Sequence, residues 1–144
     1  MVVNVENLAP NTTFDLFLLQ LPGRGGKDFG IASYEGDIET NARGGGKGVF
    51  IGRFNRETFV MAPDSNPAPV VHDGGRFPDA SSNPKFNPIH TYHLGVFFDS
   101  PGAARQGGCP DDVTPFNGTH RAGFKALSTI NFPDDRGPLR QVAP

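Results

Sequence analysis

Four histidines are the residues of this chain best suited to bind a transition metal. Two of them, His90 and His93, are separated by two residues within a β-prone run. On a regular strand this spacing places the rings on opposite faces, so the pair cannot share one ion without a bulge. A catalytic zinc needs three protein ligands, which would have to be gathered from separate loops. We predict no cofactor, and the candidate metal ligands are His72, His90, His93 and His120.

Aspartates in loop segments are the second candidate group, because calcium prefers carboxylate and other oxygen ligands. None of them forms the Asp-x-Asp-x-Asp-Gly ladder of an EF-hand loop. Aspartate is also common in turns, where its side chain bonds to nearby backbone groups. Both interpretations stay open at this point. The candidate calcium ligands are Asp73, Asp111, Asp112, Asp134 and Asp135.

Covalent catalysis is not indicated by any motif. Cys109 is the only cysteine, which excludes a disulfide within the chain, and it follows a short predicted helix whose C-terminal end does not favour a thiolate. The glycine-rich residues 44–48 lack the Gly-Lys-Ser/Thr of a phosphate loop and lead into a predicted strand. No serine occurs in Gly-x-Ser-x-Gly. The catalytic residues therefore stay unassigned.

Charge and hydropathy exclude two classes of partner. The net charge is −2 and the 13 Lys and Arg are scattered, so the basic patch of a nucleic-acid-binding protein is missing. No apolar run approaches the 18 residues of a membrane-spanning helix, and we predict no membrane insertion. The N-terminal residues have no signal-peptide pattern and read as a strand from Val2. A cytoplasmic protein and one exported from a longer precursor both fit, and the compartment stays open.

Alternating apolar residues between Gly- and Pro-rich turns predict an all-β fold. The strongest strand, at residues 12–21, is apolar on both faces, with Phe14 and Leu16 on one side and Phe17 and Leu19 on the other. Ser100 is a good helix N-cap and Pro101 suits the first helical position, so one short helix is expected near residues 101–106. Strands are predicted at residues 2–8, 12–21, 29–40, 49–54, 57–62, 89–98, 124–130 and 138–142.

Residues 63–88 form a long loop that contains six of the 14 prolines. Such a length without strands is unusual inside a compact domain and suggests a functional segment. The hairpin at residues 31–54 and this crossover favour a Greek-key β-sandwich of seven to eight strands. The length of 144 residues fits one such domain, covering residues 1–144.

The first third of the chain resembles Greek-key sandwich modules. Residues 5–14 (Val-Glu-Asn-Leu-Ala-Pro-Asn-Thr-Thr-Phe) resemble the Leu-x-Pro-x-Thr-x-Tyr/Phe passage of fibronectin type III-like, Cu/Zn superoxide dismutase-like and chordin-repeat-like domains. Residues 44–50 are similar to the glycine-rich hairpin of the last two. A dismutase-like copper site would need His-x-His on an early strand, and residues 12–21 contain no histidine. The resemblance, which covers residues 2–54, thus supports the fold and argues against that activity.

These observations favour a non-enzymatic β-sandwich module that binds other proteins or assembles with copies of itself. The reasons are the missing catalytic constellation, the strand that is apolar on both faces and the Pro-rich segment. The alternative is a metal-dependent or small-molecule-binding enzyme whose pocket is capped by residues 63–88. Its motivation is the gathering of histidines and aspartates in the second half of the chain.

Overall fold

The computed structural model describes residues 1–20, 30–51, 60–61, 92–110 and 122–141, and these are mostly β-strands. The all-β prediction is therefore confirmed at this level. The elements are β1 (Val2–Val5), β2 (Thr13–Gln20), β3 (Gly30–Glu39), β4 (Gly46–Val49), β5 (Val60–Met61), β6 (Tyr92–Phe98), helix α1 (Pro101–Gln106), β7 (Lys125–Ser128) and a one-turn 3₁₀ helix at Asp134–Arg136. The predicted loop at residues 63–88 lies outside the described residues.

The strands form two antiparallel sheets. The larger sheet has the order β5-β3-β2-β6-β7, and the smaller sheet consists of β1 and β4. In the larger sheet Phe14 of β2 lies opposite Ile38 of β3 and Phe98 of β6. The pairing of β2 with β3 shifts after Leu16, because Glu35 is an extra residue on the β3 side. This bulge changes which β3 side chains share a face with those of β2.

Strand β2 is buried on both faces, as the alternating apolar pattern predicts. Its first face belongs to a cluster that also includes residues of the small sheet and of α1: Val5, Phe14, Leu16, Ile38, Phe50, Val96, Phe98 and Ala104. Its second face contributes to a smaller cluster of Phe17, Leu19, Phe97 and Ala122. A central strand therefore separates two apolar layers, and the small sheet and helix pack over the first of them.

Helix α1 begins where the sequence predicts. The Ser100 side chain accepts a hydrogen bond from the Ala103 backbone N–H at 3.2 Å, and Pro101 occupies the first helical position. The helix ends at Gly107, whose N–H donates to the Ala103 carbonyl oxygen. Ala104 is the helical side chain buried in the first cluster.

Several predicted strand boundaries differ from the structure. The strand expected to begin at Val49 lies earlier, at Gly46–Val49 inside the glycine-rich stretch; residues 50–51 are not strand, and residues 52–54 lie outside the described residues. A side chain at Gly46 would crowd the Glu39 carbonyl oxygen and the Ile38 side chain, so this strand needs glycine in order to pack closely. Of the strand expected at residues 138–142, residues 138–141 are described, and they form turns. The Arg140 N–H donates to the Gly137 carbonyl oxygen.

The corner between the two sheets depends on Thr40 and Gly44. The Thr40 hydroxyl is buried, accepts the Thr12 N–H at 2.9 Å and lies 2.7 Å from the Ala9 carbonyl oxygen. Gly44 has φ of +75°, and its amide bonds to the Asn41 carbonyl oxygen at 2.9 Å. A Cβ at this position would collide with the carbonyl oxygen of Leu8.

We predict that Gly44→Ala lowers the free energy of unfolding by about 2 kcal/mol or more, from a strained φ combined with the backbone collision. Urea unfolding followed by circular dichroism measures the change. Gly102→Ala is the matched control, because Gly102 is helical and the nearest atom to an added Cβ is Ser100 Oγ at 3.8 Å. That variant should be neutral or stabilising, and equal losses in both variants would contradict the account.

Candidate functional site

His93 is the one predicted metal ligand that falls within the described residues. It lies on β6 with its side chain buried, on the face opposite Val96 and Phe98. Its Nδ1 is hydrogen-bonded to Thr129 Oγ1 at 3.2 Å, and the same oxygen accepts the Leu94 N–H at 2.9 Å. His93 therefore helps to join β6 to the residues after β7. The other candidate metal ligands, His72, His90 and His120, lie outside the described residues.

Only some of the candidate calcium ligands fall within the described residues. Asp134 and Asp135 lie in the 3₁₀ helix, where Asp135 is exposed, whereas Asp73, Asp111 and Asp112 lie outside the described residues. Among the residues that the structure describes, no three His, Cys, Asp or Glu side chains come together in a way that could hold a metal ion. Metal and calcium binding through the remaining candidates stay predictions.

A different acidic group is brought together in the larger sheet. Asp15 of β2 is only 1% exposed and lies directly opposite Asp37 of β3. Tyr34 of β3 donates its hydroxyl hydrogen to Asp37 Oδ1 at 2.5 Å. We call Asp15, Tyr34 and Asp37 the acidic cluster. Sequence reasoning missed it, although Asp15 stands out as the single charged residue within the apolar strand β2.

Burial raises the pKa of Asp15 to about 7, and the negative charges of Asp99 and Asp37 add to the effect. Burial and the hydrogen bond to Asp37 also raise the pKa of Tyr34, which therefore stays a hydroxyl donor at neutral pH. Asp15 therefore takes up or releases a proton near neutral pH, which is the property required of a general acid or base.

A second carboxyl is desolvated at the β3 bulge. Burial raises the pKa of Glu35, and its Oε2 atom accepts no hydrogen bond from any residue in the described part of the chain. Burial thus makes the charged form of Glu35 more costly than it is in an exposed glutamate, and the positive N-terminus offsets part of that cost. Sequence reasoning did not single out this residue either, although its neighbour Gly36, a glycine inside a predicted strand, is typical of a bulge.

Within the described residues, strand β1 of the small sheet has one edge without a neighbouring strand. The Phe50 N–H donates to the Met1 carbonyl oxygen at 2.8 Å, and the Met1 nitrogen donates to the Phe50 carbonyl oxygen at 2.8 Å. Since hydrogen-bonded pairs alternate along an antiparallel ladder, the backbone groups of Val3 also point toward β4, whereas those of Val2 and Asn4 point away from it. Among the described residues no strand other than β4 pairs with β1.

The outer face next to this edge combines exposed apolar residues with Asn4 and Lys47. Val2 is 57% exposed, its cross-strand neighbour Val49 is 69% exposed, and Ile51 is fully exposed. We call Val2, Val49 and Ile51 the outer apolar row. Side chains of this size are usually buried, and several of them beside an open sheet edge are typical of an interaction surface.

Comparison with known proteins found no matching family model, no matching curated protein and no matching solved structure. The resemblance to Greek-key modules therefore stays a prediction. In the described parts of the chain, no helix has the length and apolar character needed to cross a membrane.

The pKa of Asp15 predicts how stability depends on pH. Between the ordinary aspartate pKa of 3.8 and about 7, the folded protein binds more protons at this site than the unfolded chain. The contribution of Asp15 to the free energy of unfolding is therefore present at low pH and lost as pH rises through about 7. Asp15→Asn, which stays neutral, should be more stable than the parent at pH 8 by on the order of 2–4 kcal/mol and similar to it near pH 4.

Urea unfolding of the parent and of Asp15→Asn between pH 4 and pH 8 measures this difference. Asp135→Asn is the matched control, because Asp135 is exposed and should change the free energy of unfolding little at either pH. A stability difference between the parent and Asp15→Asn that does not change with pH would show that Asp15 is not the titrating group.

Proposed function

We propose that this chain is a Greek-key β-sandwich module that binds protein by adding a strand at the open edge of β1. Support for the Greek key comes from the strand order, in which β2, β3 and β5 are neighbours and β6 returns to lie beside β2. If β4, which belongs to the other sheet, is left out, this order is consistent with the 4-1-2-3 arrangement of a Greek key. Support for a sandwich comes from the first apolar cluster, which contains residues of both sheets.

The observation that carries the proposal is the outward direction of the Val2 and Asn4 backbone groups. Each residue offers one N–H and one C=O at an edge that no described strand covers. An extended peptide satisfies such groups through main-chain hydrogen bonds, and the neighbouring side chains provide selectivity. Here those side chains are Val2 and the other members of the outer apolar row.

The edge carries none of the features that proteins use to prevent strand addition. Edge strands are commonly protected by lysine, proline, an inward charge or a bulge. Residues Val2–Val5 contain three valines and one asparagine, and their pairing with β4 is regular. In contrast, the edge strand β7 contains Lys125, and its pairing with β6 is interrupted by a register shift.

A second candidate function is acid–base chemistry at the acidic cluster. It is supported by a carboxyl with a pKa near 7 beside another carboxyl, which is one route to a general acid or base. The version of this hypothesis that requires a metal or a pocket under residues 63–88 depends on residues outside the described ones. The strand-edge proposal is preferred because the outward direction of the Val2 and Asn4 backbone groups follows directly from the pairing of β1 with β4.

The proposal predicts that an octapeptide copying residues 1–8 binds in trans. Fluorescence anisotropy of the labelled peptide should give saturable binding to the parent protein. Asn4→Lys places a charge at the edge, and we expect it to weaken binding at least tenfold, because lysine is disfavoured against an incoming strand. Asn4→Thr is the matched control, since threonine is uncharged and β-prone, and it should bind like the parent.

Amide hydrogen exchange gives the second measurement. With saturating peptide, the Val2 and Asn4 amides should become protected, whereas the Val3 amide, already directed toward β4, should change little. Binding that is equal in Asn4→Lys and Asn4→Thr, or protection that appears elsewhere in the chain without these two amides, would rule out β1 as the site.

A further inference from the structure

The edges of the two sheets differ in what they can accept. Strand β7 is an edge strand with Lys125, and β5 at the other edge of the larger sheet is two residues long. Strand β4 bears Lys47, and its start is already bridged to Thr40. Strand β1 is the one edge in the described chain with four regular residues and no charge.

We propose that the partner of β1 is β1 of a second copy of this chain, paired antiparallel about a two-fold axis at Val3. The inference rests on the proposed strand addition and specifies its partner. Pairing an edge with the same edge closes after two copies, whereas pairing it with a different edge would propagate into a filament. The lysines on β4 and β7 disfavour that second arrangement.

The register follows from which backbone groups point outward. Only the groups of Val2 and Asn4 are available, so hydrogen-bonded pairs must join these residues. Placing Val2 opposite Asn4 of the second copy uses both residues in each chain and gives four hydrogen bonds. Placing Val2 opposite Val2 of the second copy would use only the backbone groups of Val2. Placing Asn4 opposite itself sets Val2 against Glu6, which lies past the end of β1.

The side chains agree with the same register. Met1, Val3 and Val5 point toward the first apolar cluster, and in the dimer they lie opposite Val5, Val3 and Met1 of the second copy. The apolar inner surface of the small sheet therefore continues across the two-fold axis. On the outer face, Val2 lies opposite Asn4, so neither face sets a charge against apolar surface.

Charge repulsion across this dimer is small. Strands β1 carry no charged side chain, the Met1 ammonium groups of the two copies lie at opposite ends of the paired strands, each bound to its own Phe50 carbonyl oxygen, and the nearest cationic side chains on the small sheet are the two Lys47. Three strand spacings of about 4.8 Å separate them, which is beyond the Debye length of ~8–10 Å at physiological salt. The four-stranded sheet β4-β1-β1-β4 thus forms without bringing like charges together.

The size of the contact predicts a weak dimer. One pair of four-residue strands with its flanking side chains buries less than the ~1,200 Å² of a standard stable interface. We therefore expect association in the micromolar range or weaker. Light scattering coupled to size exclusion, from about 1 µM to about 1 mM, should show the apparent mass rise from the 15.4 kDa of one chain toward twice that value. Asn4→Lys should stay monomeric throughout, and Asn4→Thr should associate like the parent.

Cysteine cross-linking tests the register in a Cys109→Ala background, which removes the single native thiol. In the proposed dimer Val3 faces Val3 in a non-hydrogen-bonded pair with Cα atoms about 4.5 Å apart, within disulfide range. Val3→Cys should therefore form a disulfide-linked dimer under mild oxidation. Val2→Cys is the matched control, because the two Val2 positions are offset by two residues, ~8 Å apart, and cannot be bridged.

The outcomes separate the two proposals. Cross-linking of Val2→Cys in place of Val3→Cys would overturn the register. A strict monomer at every concentration, with no Val3→Cys dimer, would overturn pairing between folded copies, and protection of the Val2 and Asn4 amides by the octapeptide would then still support strand addition at the β1 edge. If the parent protein neither dimerises nor binds the octapeptide, both proposals are wrong. Circular dichroism of each variant ensures that a negative result comes from folded protein.

Discussion

The burial of β2 on both faces is the constraint on which the rest of the structure depends. Phe14 and Leu16 on one side and Phe17 and Leu19 on the other are each at most 3% exposed. A sheet does not shield its own faces from water. A further layer must therefore pack against each apolar face of β2. The small sheet and α1 form that layer on the first face, and the corner at Thr40 and Gly44 carries the chain to it.

Asp15 is the exception within this central strand. A carboxyl buried at this position is more stable when it is protonated, and the opposing Asp37 makes a second negative charge there more costly still. An apolar residue would serve packing better. The protonation of Asp15 therefore affects the stability of β2, the strand that both apolar clusters require. This effect changes with pH near neutrality.

The sequence was most informative where one residue type has one physical role. Alternation in residues 12–21 predicted both faces of β2, and Ser100 with Pro101 predicted the start of α1, because caps and periodicity are local properties. The acidic cluster was not predictable, since it depends on the register that sets Asp15 opposite Asp37, and register is a property of two strands. The glycines of β4 resembled a loop for a related reason. These glycines leave space for the side chains of Ile38 and Phe50 in neighbouring segments. The local sequence does not reveal this contact.

The same reasoning explains why an interaction edge would belong to the small sheet. An isolated two-stranded sheet is marginally stable, so β1 and β4 depend on the core beneath them for their order. That core fixes the inward side chains Val3 and Val5 and leaves the outward backbone groups of Val2 and Asn4 in place for a partner. A strand added to β1 then pays little ordering entropy on the side of this protein, because the template is already rigid. The burial of β2 and the proposed ability of β1 to accept a strand thus have one physical origin, the packing of the small sheet over the first apolar cluster.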